Sequence, residues 1–392
     1  MKSMNWKICT LAIVAGMSIF TSCSDDDDPV IGNGDENEKD QTIVENNGTL
    51  EGSITSNLTL KSGNTYYLSG EYIVKEGATL NIESGVKIIA KYDDRVDFIL
   101  IEQGGKINAQ GTAESPIVMT SSKEEPGAWG GIHICGKAHT NAEGGKGSSE
   151  IGGAAYGGND DADNSGVLKY VRVEYTGYAF DEEHEANGIS FYGVGNGTTI
   201  ENCEAYKGSD DGFEFFGGSV NVKNMVVVSC SDDSFDWTEG WNGKGENLVA
   251  FQEPESTLGY DCDCLIEADN NENNYSATPV SHPVLKNLIL MGNGGSKQGV
   301  RLRRGTEVEI DNAQIGGKSL ALAVESTETE NALKNGTSKL THVSISGTLD
   351  SKEGIYTNEL FISAGNADGQ SFAYRTLTDI ANECTWMKGW TK

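Results

Sequence analysis

Between residues 200 and 241 the apolar and polar positions form short strand-like runs with no helical period, and the pattern repeats itself. Asp210-Asp211-Gly212-Phe213-Glu214-Phe215 returns 22 residues later as Asp232-Asp233-Ser234-Phe235-Asp236-Trp237, and Glu201-Asn202 returns equally shifted as Lys223-Asn224. A repeat of this size, with two strand-like runs and no helix, is the sequence form of a solenoid in which one repeat makes one coil. Two strand sets alternate through the chain. One comprises 167–174, 199–205, 221–228, 247–251, 283–290, 308–315 and 339–345, and the other 132–134, 189–191, 213–215, 235–237, 266–268 and 300–302. Further runs at 72–74, 79–82, 86–89 and 98–101 are separated by glycine-containing turns. Strands joined by short turns without crossover helices predict an all-β, single-domain parallel β-helix over 48–392.

Side chains alternate across a strand, so Phe213, Phe215, Phe235 and Trp237 are expected in the core, with Glu214 and Asp236 facing out. Aligning the second strand set yields an outward column of His133, Ser190, Glu214, Asp236, Glu267 and Arg301. Two residues on lie Cys135, Tyr192, Phe216, Thr238, Asp269 and Arg303, and a third column includes Asn187, Asp211 and Asp233. With coils about 4.8 Å apart, Asp211, Glu214, Asp232, Asp233, Asp236 and Glu267 crowd one patch. Unpaired carboxylates that close raise one another's pKa unless a cation sits among them, and Ca²⁺ is the expected occupant. A lone Asp per turn would be explained by bonds to turn amides, but doubled Asp plus a third acid on two successive coils is not. Arg301, Arg303 and Arg304 complete the patch, either as functional groups or as salt-bridge partners of the acids. Tyr192, Phe216 and Trp241 are placed near it, where they either stack on sugar rings or form a ladder on the flank; Trp241 follows Gly240 in a turn, which favours exposure.

Composition narrows the function. Fifty glycines but only six prolines fit turns between short strands rather than a disordered chain, and a net charge of −30 argues against nucleic acid as a partner while suiting divalent cations. Residues 137–166 form a long glycine-rich loop whose end, 161–166, begins like a calcium loop but has Arg172 where the bidentate Glu belongs; an Asp/Asn/Gly turn is the other reading. Residues 373–392, with Trp386 and Trp390, are expected to cap the open end. The coil alignment leaves a Cys230–Cys262 bridge open, while Cys262-Asp263-Cys264 lacks partners at zinc spacing.

Several motifs carry resemblances. The phrases GATLNIESGVKIIA, GGKINAQGTAESPIVMTSS and GAWGGIHICG resemble the opening coils of right-handed parallel β-helix proteins of the pectate-lyase-like class. Lys2 and Lys7 precede an apolar run at 8–20 that is too short for a membrane span, so 1–22 reads as a signal peptide. Phe20-Thr21-Ser22-Cys23 resembles a bacterial lipobox, and the Ser24-Asp25-Asp26-Asp27-Asp28 run resembles the acidic export signal of Bacteroidetes surface lipoproteins. The resemblance implies lipidation of Cys23, an outer-membrane anchor facing the cell exterior, a flexible tether over 23–47, and an outer-membrane transporter system as a candidate partner.

SDDGFEFFGG, SDDSFDWTEGW, IEADNN and GVRLRRGT together resemble a group of secreted or surface β-helix proteins of marine and gut bacteria. The two acidic phrases also resemble the calcium-binding acids of family nine polysaccharide lyases. That resemblance implies that Asp211, Asp232, Asp233 and Asp236 hold Ca²⁺, which would acidify the C5 proton of a bound uronate. Those lyases take the proton with a Lys from a later coil; here GVRLRRG presents Arg301 instead, one coil late, and Arg301 or Arg303 would have to be the base. The expectation is therefore calcium-assisted binding of an acidic polysaccharide on the flank of the helix. The alternatives are a uronan lyase acting by β-elimination and an adhesion or scaffold protein with calcium-stiffened coils.

Overall fold

In a computed structural model, residues 42–180, 185–372 and 375–392 are described. Twenty-four strands join in one hydrogen-bonded sheet whose pairings are all parallel, wound into a right-handed parallel β-helix. Each full coil has three faces rather than the two strands per repeat read from the sequence. Gly166–Glu174 shows why: its first half pairs with Lys106–Gln110 and its second half with Ile117–Ser121, so one continuous run bends across two faces.

The bend falls on a residue with positive φ, which in five successive coils is Asn202, Asn224, Asn247, Asn287 and Asn312, at 57° to 62°. Asparagine tolerates the left-handed region better than most residues because its short amide bonds locally. Here the amides bond to one another: Asn247 donates to Asn224 (2.8 Å), Asn287 to Asn247 (3.1 Å) and Asn312 to Asn287 (2.8 Å).

The third face carries the predicted column. It runs through Phe98–Ile101, Ile132–Cys135, Ile189–Tyr192, Phe213–Phe216, Phe235–Thr238, Ile266–Ala268, Gln298–Leu302, Leu320–Val324 and Thr348–Ser351. Its inward residues stack along the helix axis, Phe191 on Phe215 at 5.0 Å and Phe213 on Phe235 at 5.9 Å between ring centroids. Burial of each such ring contributes about 1.5–3 kcal/mol.

Two excursions leave the coils. Residues 137–166 form a long loop with structure of its own: Gly147–Ser148 pairs with Ala155–Tyr156 as a small hairpin, and Ile151, Ala154 and Tyr156 pack on Phe98, Leu100, Cys135, Tyr192 and Phe216 outside the coil. The loop thus roofs the upper part of the third face. The C-terminal segment does not cap the open end. Ile380, Met387 and Trp390 lie along the second face against Val226, Val228, Val249, Phe251 and Met291, where an apolar outer surface was available to cover. That end of the coil stack is closed instead by Asn358–Ser363, with Phe361 and Tyr356 entering the central core.

Candidate functional site

Register confirms the first outward column in full: His133, Ser190, Glu214, Asp236, Glu267 and Arg301 are successive Cα partners. Just before the strands, Asp211 and Asp233 follow the same stacking. The Asp233 amide donates to Asp211 Oδ1 (2.8 Å) and the Cys264 amide to Asp233 Oδ1 (2.6 Å), so each carboxylate also serves the turn of the next coil.

The carboxylates converge as expected, in four overlapping groups whose oxygen or sulfur atoms lie within 4.8 Å of one another: Asp211, Glu214 and Asp236; Asp211, Asp232 and Asp233; Glu185, Asp210 and Asp232; and Asp233, Cys264 and Glu267. Burial comes first among the causes that push Asp211 well above the ordinary carboxylate range, followed by the charges of Asp210, Asp233, Asp232 and Asp236. Glu214 is raised by burial and then by Glu150 and Asp236, and Asp236 by burial and then by Glu267 and Asp269 against the pull of Arg303. Burial also raises Asp232, with Asp263 and Glu185 adding to it.

Two oxygens in this cluster lack a hydrogen-bond partner among the described residues: Asp236 Oδ1 and Asn187 Oδ1. Asn187 is 1% exposed, and its Nδ2 donates to Glu214 Oε2 at 2.6 Å, which holds the amide against the acids. A buried acceptor left without a donor costs about 1–3 kcal/mol. Carboxylate and amide oxygens crowded in this way form a donor set suited to a hard cation such as Ca²⁺. Asp211, Glu214 and Asp236 with the Asn187 carbonyl would hold it, with Asp232 and Asp233 adjoining.

Glu267 stands at the edge of the cluster and is neutralised by protein. Arg301 Nη1 lies 2.9 Å from Glu267 and its Nε 2.9 Å from Glu325, while Arg303 pairs with Glu267 and, at 2.7 Å, with Asp269. Burial opposes charge on Arg301, but the bonds to Glu325 and Glu267 outweigh it and push the pKa above that of a free guanidinium. Neither arginine is set up to accept a proton, which corrects the expectation of an arginine base and agrees with the salt-bridge alternative.

Of the two aromatic readings the structure shows the ladder for Tyr192 and Phe216, and it corrects the sugar-platform reading and the expected exposure of Trp241. Tyr192, Phe216 and Trp241 are all buried. Trp241 turns into the core, stacked on Phe215 at 4.1 Å with its Nε1 donating to Val220 O, and Tyr192 and Phe216 stack on each other at 4.4 Å beneath the 137–166 loop. A large apolar ring beside an available apolar surface is more stable covered than wet.

In the 161–166 stretch the side chains serve their own loop. Asp161 Oδ1 accepts from the His139 amide, and Asn164 Oδ1 accepts from the Gly166 amide at 2.8 Å. This is the turn reading, not a calcium loop. Cys230 and Cys262 are free, buried thiols. Cys23 and the rest of 1–41 lie outside the described residues.

Sequence reasoning missed several members of the site. Asp210 stood in plain view beside Asp211 but was passed over. Asn187 falls in its expected column, but nothing in the sequence marks its carbonyl oxygen as unpartnered. Glu150, Glu185 and Asp263 come from loops outside the repeat and carry no local signal. Lys297, whose amine pairs with Asp263 and whose charge reaches Asp232, lies four residues before Arg301.

A single all-parallel sheet wound into a β-helix defines the class, and here it carries an acidic patch on one flank. The chain belongs to the pectate-lyase-like β-helix domain family, which it matches over residues 52–391. No curated protein and no solved structure matches it.

Proposed function

We propose that the protein binds an acidic polysaccharide on the third face of its β-helix, with Ca²⁺ held by Asp211, Glu214, Asp236 and Asn187 bridging to a carboxylate of the glycan. The observation that carries this reading is the pair of unpartnered oxygens, Asp236 Oδ1 and Asn187 Oδ1, within a set of carboxylates that repel one another. A bound cation offsets most of the repulsion among the acids and offers open coordination positions to a uronate oxygen, whereas the acids alone would repel it. In this proposal the lipid on Cys23 and the tether at 23–47 hold the domain at the outer surface of the outer membrane, where a transporter system could receive the glycan.

Calorimetric titration of residues 24–392 with Ca²⁺, followed by a panel of polyuronates, tests the reading. Binding that requires Ca²⁺ and is lost in Asp236→Asn supports it. Glycan binding unchanged by chelator overturns the calcium bridge. Calcium binding with no glycan bound favours the scaffold alternative. The lyase alternative predicts unsaturated product absorbing in the ultraviolet, and the locked ion pairs of Arg301 and Arg303 speak against it.

A further inference from the structure

Past the acidic cluster the third face changes sign. Arg301 follows Glu267 in the column, and Arg301, Arg303, Arg304 and Lys352 line a cleft of about 310 Å³ in which Glu325 and Glu353 are the carboxylates and Tyr275 the aromatic. This volume lies at the lower end of the range for small-ligand sites.

Tyr275 is one of few large side chains left open, 40% exposed, yet its backbone is firmly placed. Asn270, fully buried, donates to Tyr275 O (3.1 Å) and to Ala277 O (3.0 Å) and accepts from Asn141 and the Ser281 amide. Gly305 is required opposite it, since a Cβ there would come 1.9 Å from Tyr275 O. A ring on so fixed a backbone gives up less freedom on stacking against a ligand than one on a mobile loop.

Two of the cations are loosely engaged. Arg304 gives one nitrogen to Asp269 at 2.9 Å, but its other reaches only the exposed Glu272 at 3.5 Å, and the exposed Lys352 lies 3.3 Å from Glu325. The long contact to exposed Glu272 contributes little, so that Arg304 nitrogen and the exposed Lys352 amine are free to turn to a ligand carboxylate.

We infer that this cleft is a second subsite for the same glycan, seating a uronate unit with its carboxylate on Arg304 and Lys352 and its apolar ring face on Tyr275. The inference rests on the acidic-polysaccharide reading above. Arg304 follows Arg301 on the coil two rungs beyond that of Asp236, about 10 Å along the axis. The ligand would therefore carry carboxylates repeated along a chain, one met through the cation and another further along met directly by guanidinium, as a uronate oligomer does.

Tyr275→Ala, Arg304→Gln and Tyr275→Phe, each checked for an unchanged melting temperature, are titrated with long oligogalacturonate in saturating Ca²⁺, and separately with Ca²⁺ alone. Tyr275→Ala and Arg304→Gln are expected to weaken oligogalacturonate binding about tenfold or more, the size of one charge-assisted contact, with calcium affinity unchanged and Tyr275→Phe near wild type. If the wild type binds and the variants bind equally well, the subsite is wrong while the proposed function stands. If the wild type binds no polyuronate, the functional reading fails and the subsite with it. If the variants lose a sulfated glycan but keep polyuronates, the uronate assignment is overturned.

Discussion

Glu214 and Asp236 are Cα partners on adjacent coils, and their carboxylates come within 4.8 Å of each other and of Asp211. Like charges stacked at rung spacing destabilise the cation-free protein, and a divalent ion reverses the sign of that contribution.

Calcium is therefore expected to raise the melting temperature. At a hundredfold excess over Kd the linkage is about 2.7 kcal/mol, which for a domain of this size corresponds to roughly 3–4 °C. Asp236→Asn should act in opposite directions, stabilising the protein in chelator and lowering its gain from calcium. Scanning fluorimetry with and without chelator checks both signs, and a variant that melts lower in chelator would contradict the repulsion argument.

Away from the site, Glu204 on the second face is fully buried, and burial raises its pKa to about 8, with Arg172 opposing. A folded pKa above the unfolded one means that the carboxyl stabilises the fold when protonated. Its contribution is complete below about pH 4.5 and is lost as pH rises through about 8. Urea denaturation between those limits should show stability falling by up to about 1.4 kcal/mol per pH unit, a slope that Glu204→Gln reduces. An identical slope in the variant would assign the pH dependence elsewhere.

Phe215 lies between Phe191 and Trp241 in the coil interior. Truncating Trp241 to Ala should cost about 3–5 kcal/mol in chemical denaturation, while Trp241→Phe keeps glycan affinity. A Trp241→Ala protein as stable as wild type but unable to bind glycan would restore the stacking-platform role that burial argues against.

Asn247 sits at φ 61°, donating to Asn224 and accepting from Asn287. Asn247→Ala should lose about 2 kcal/mol, from two amide contacts and a left-handed backbone that alanine resists. Replacement by Gly should recover part of this by relieving the backbone. Equal loss in both variants would place the whole effect in the amide contacts.

The 22-residue echo and the alternation of side chains were enough to derive the parallel β-helix and the column from His133 to Arg301, because both depend on local periods that a coil simply stacks. The acidic patch around Asp211, Glu214 and Asp236 follows from the same register. The three-faced coil did not, since the bend at Asn202 and its equivalents interrupts no apolar run. Nor did the burial of Tyr192, Phe216 and Trp241, the path of the C-terminal segment along the second face, the ion pairs that hold Arg301, or the exposed Tyr275 beside them. The cover over Tyr192 and Phe216 and the C-terminal path come from segments outside the repeat docking on coils far away in the chain, while the inward turn of Trp241 and the pairing of Arg301 with Glu267 and Glu325 depend on side-chain directions between neighbouring coils; neither kind of packing leaves a period in the sequence to read.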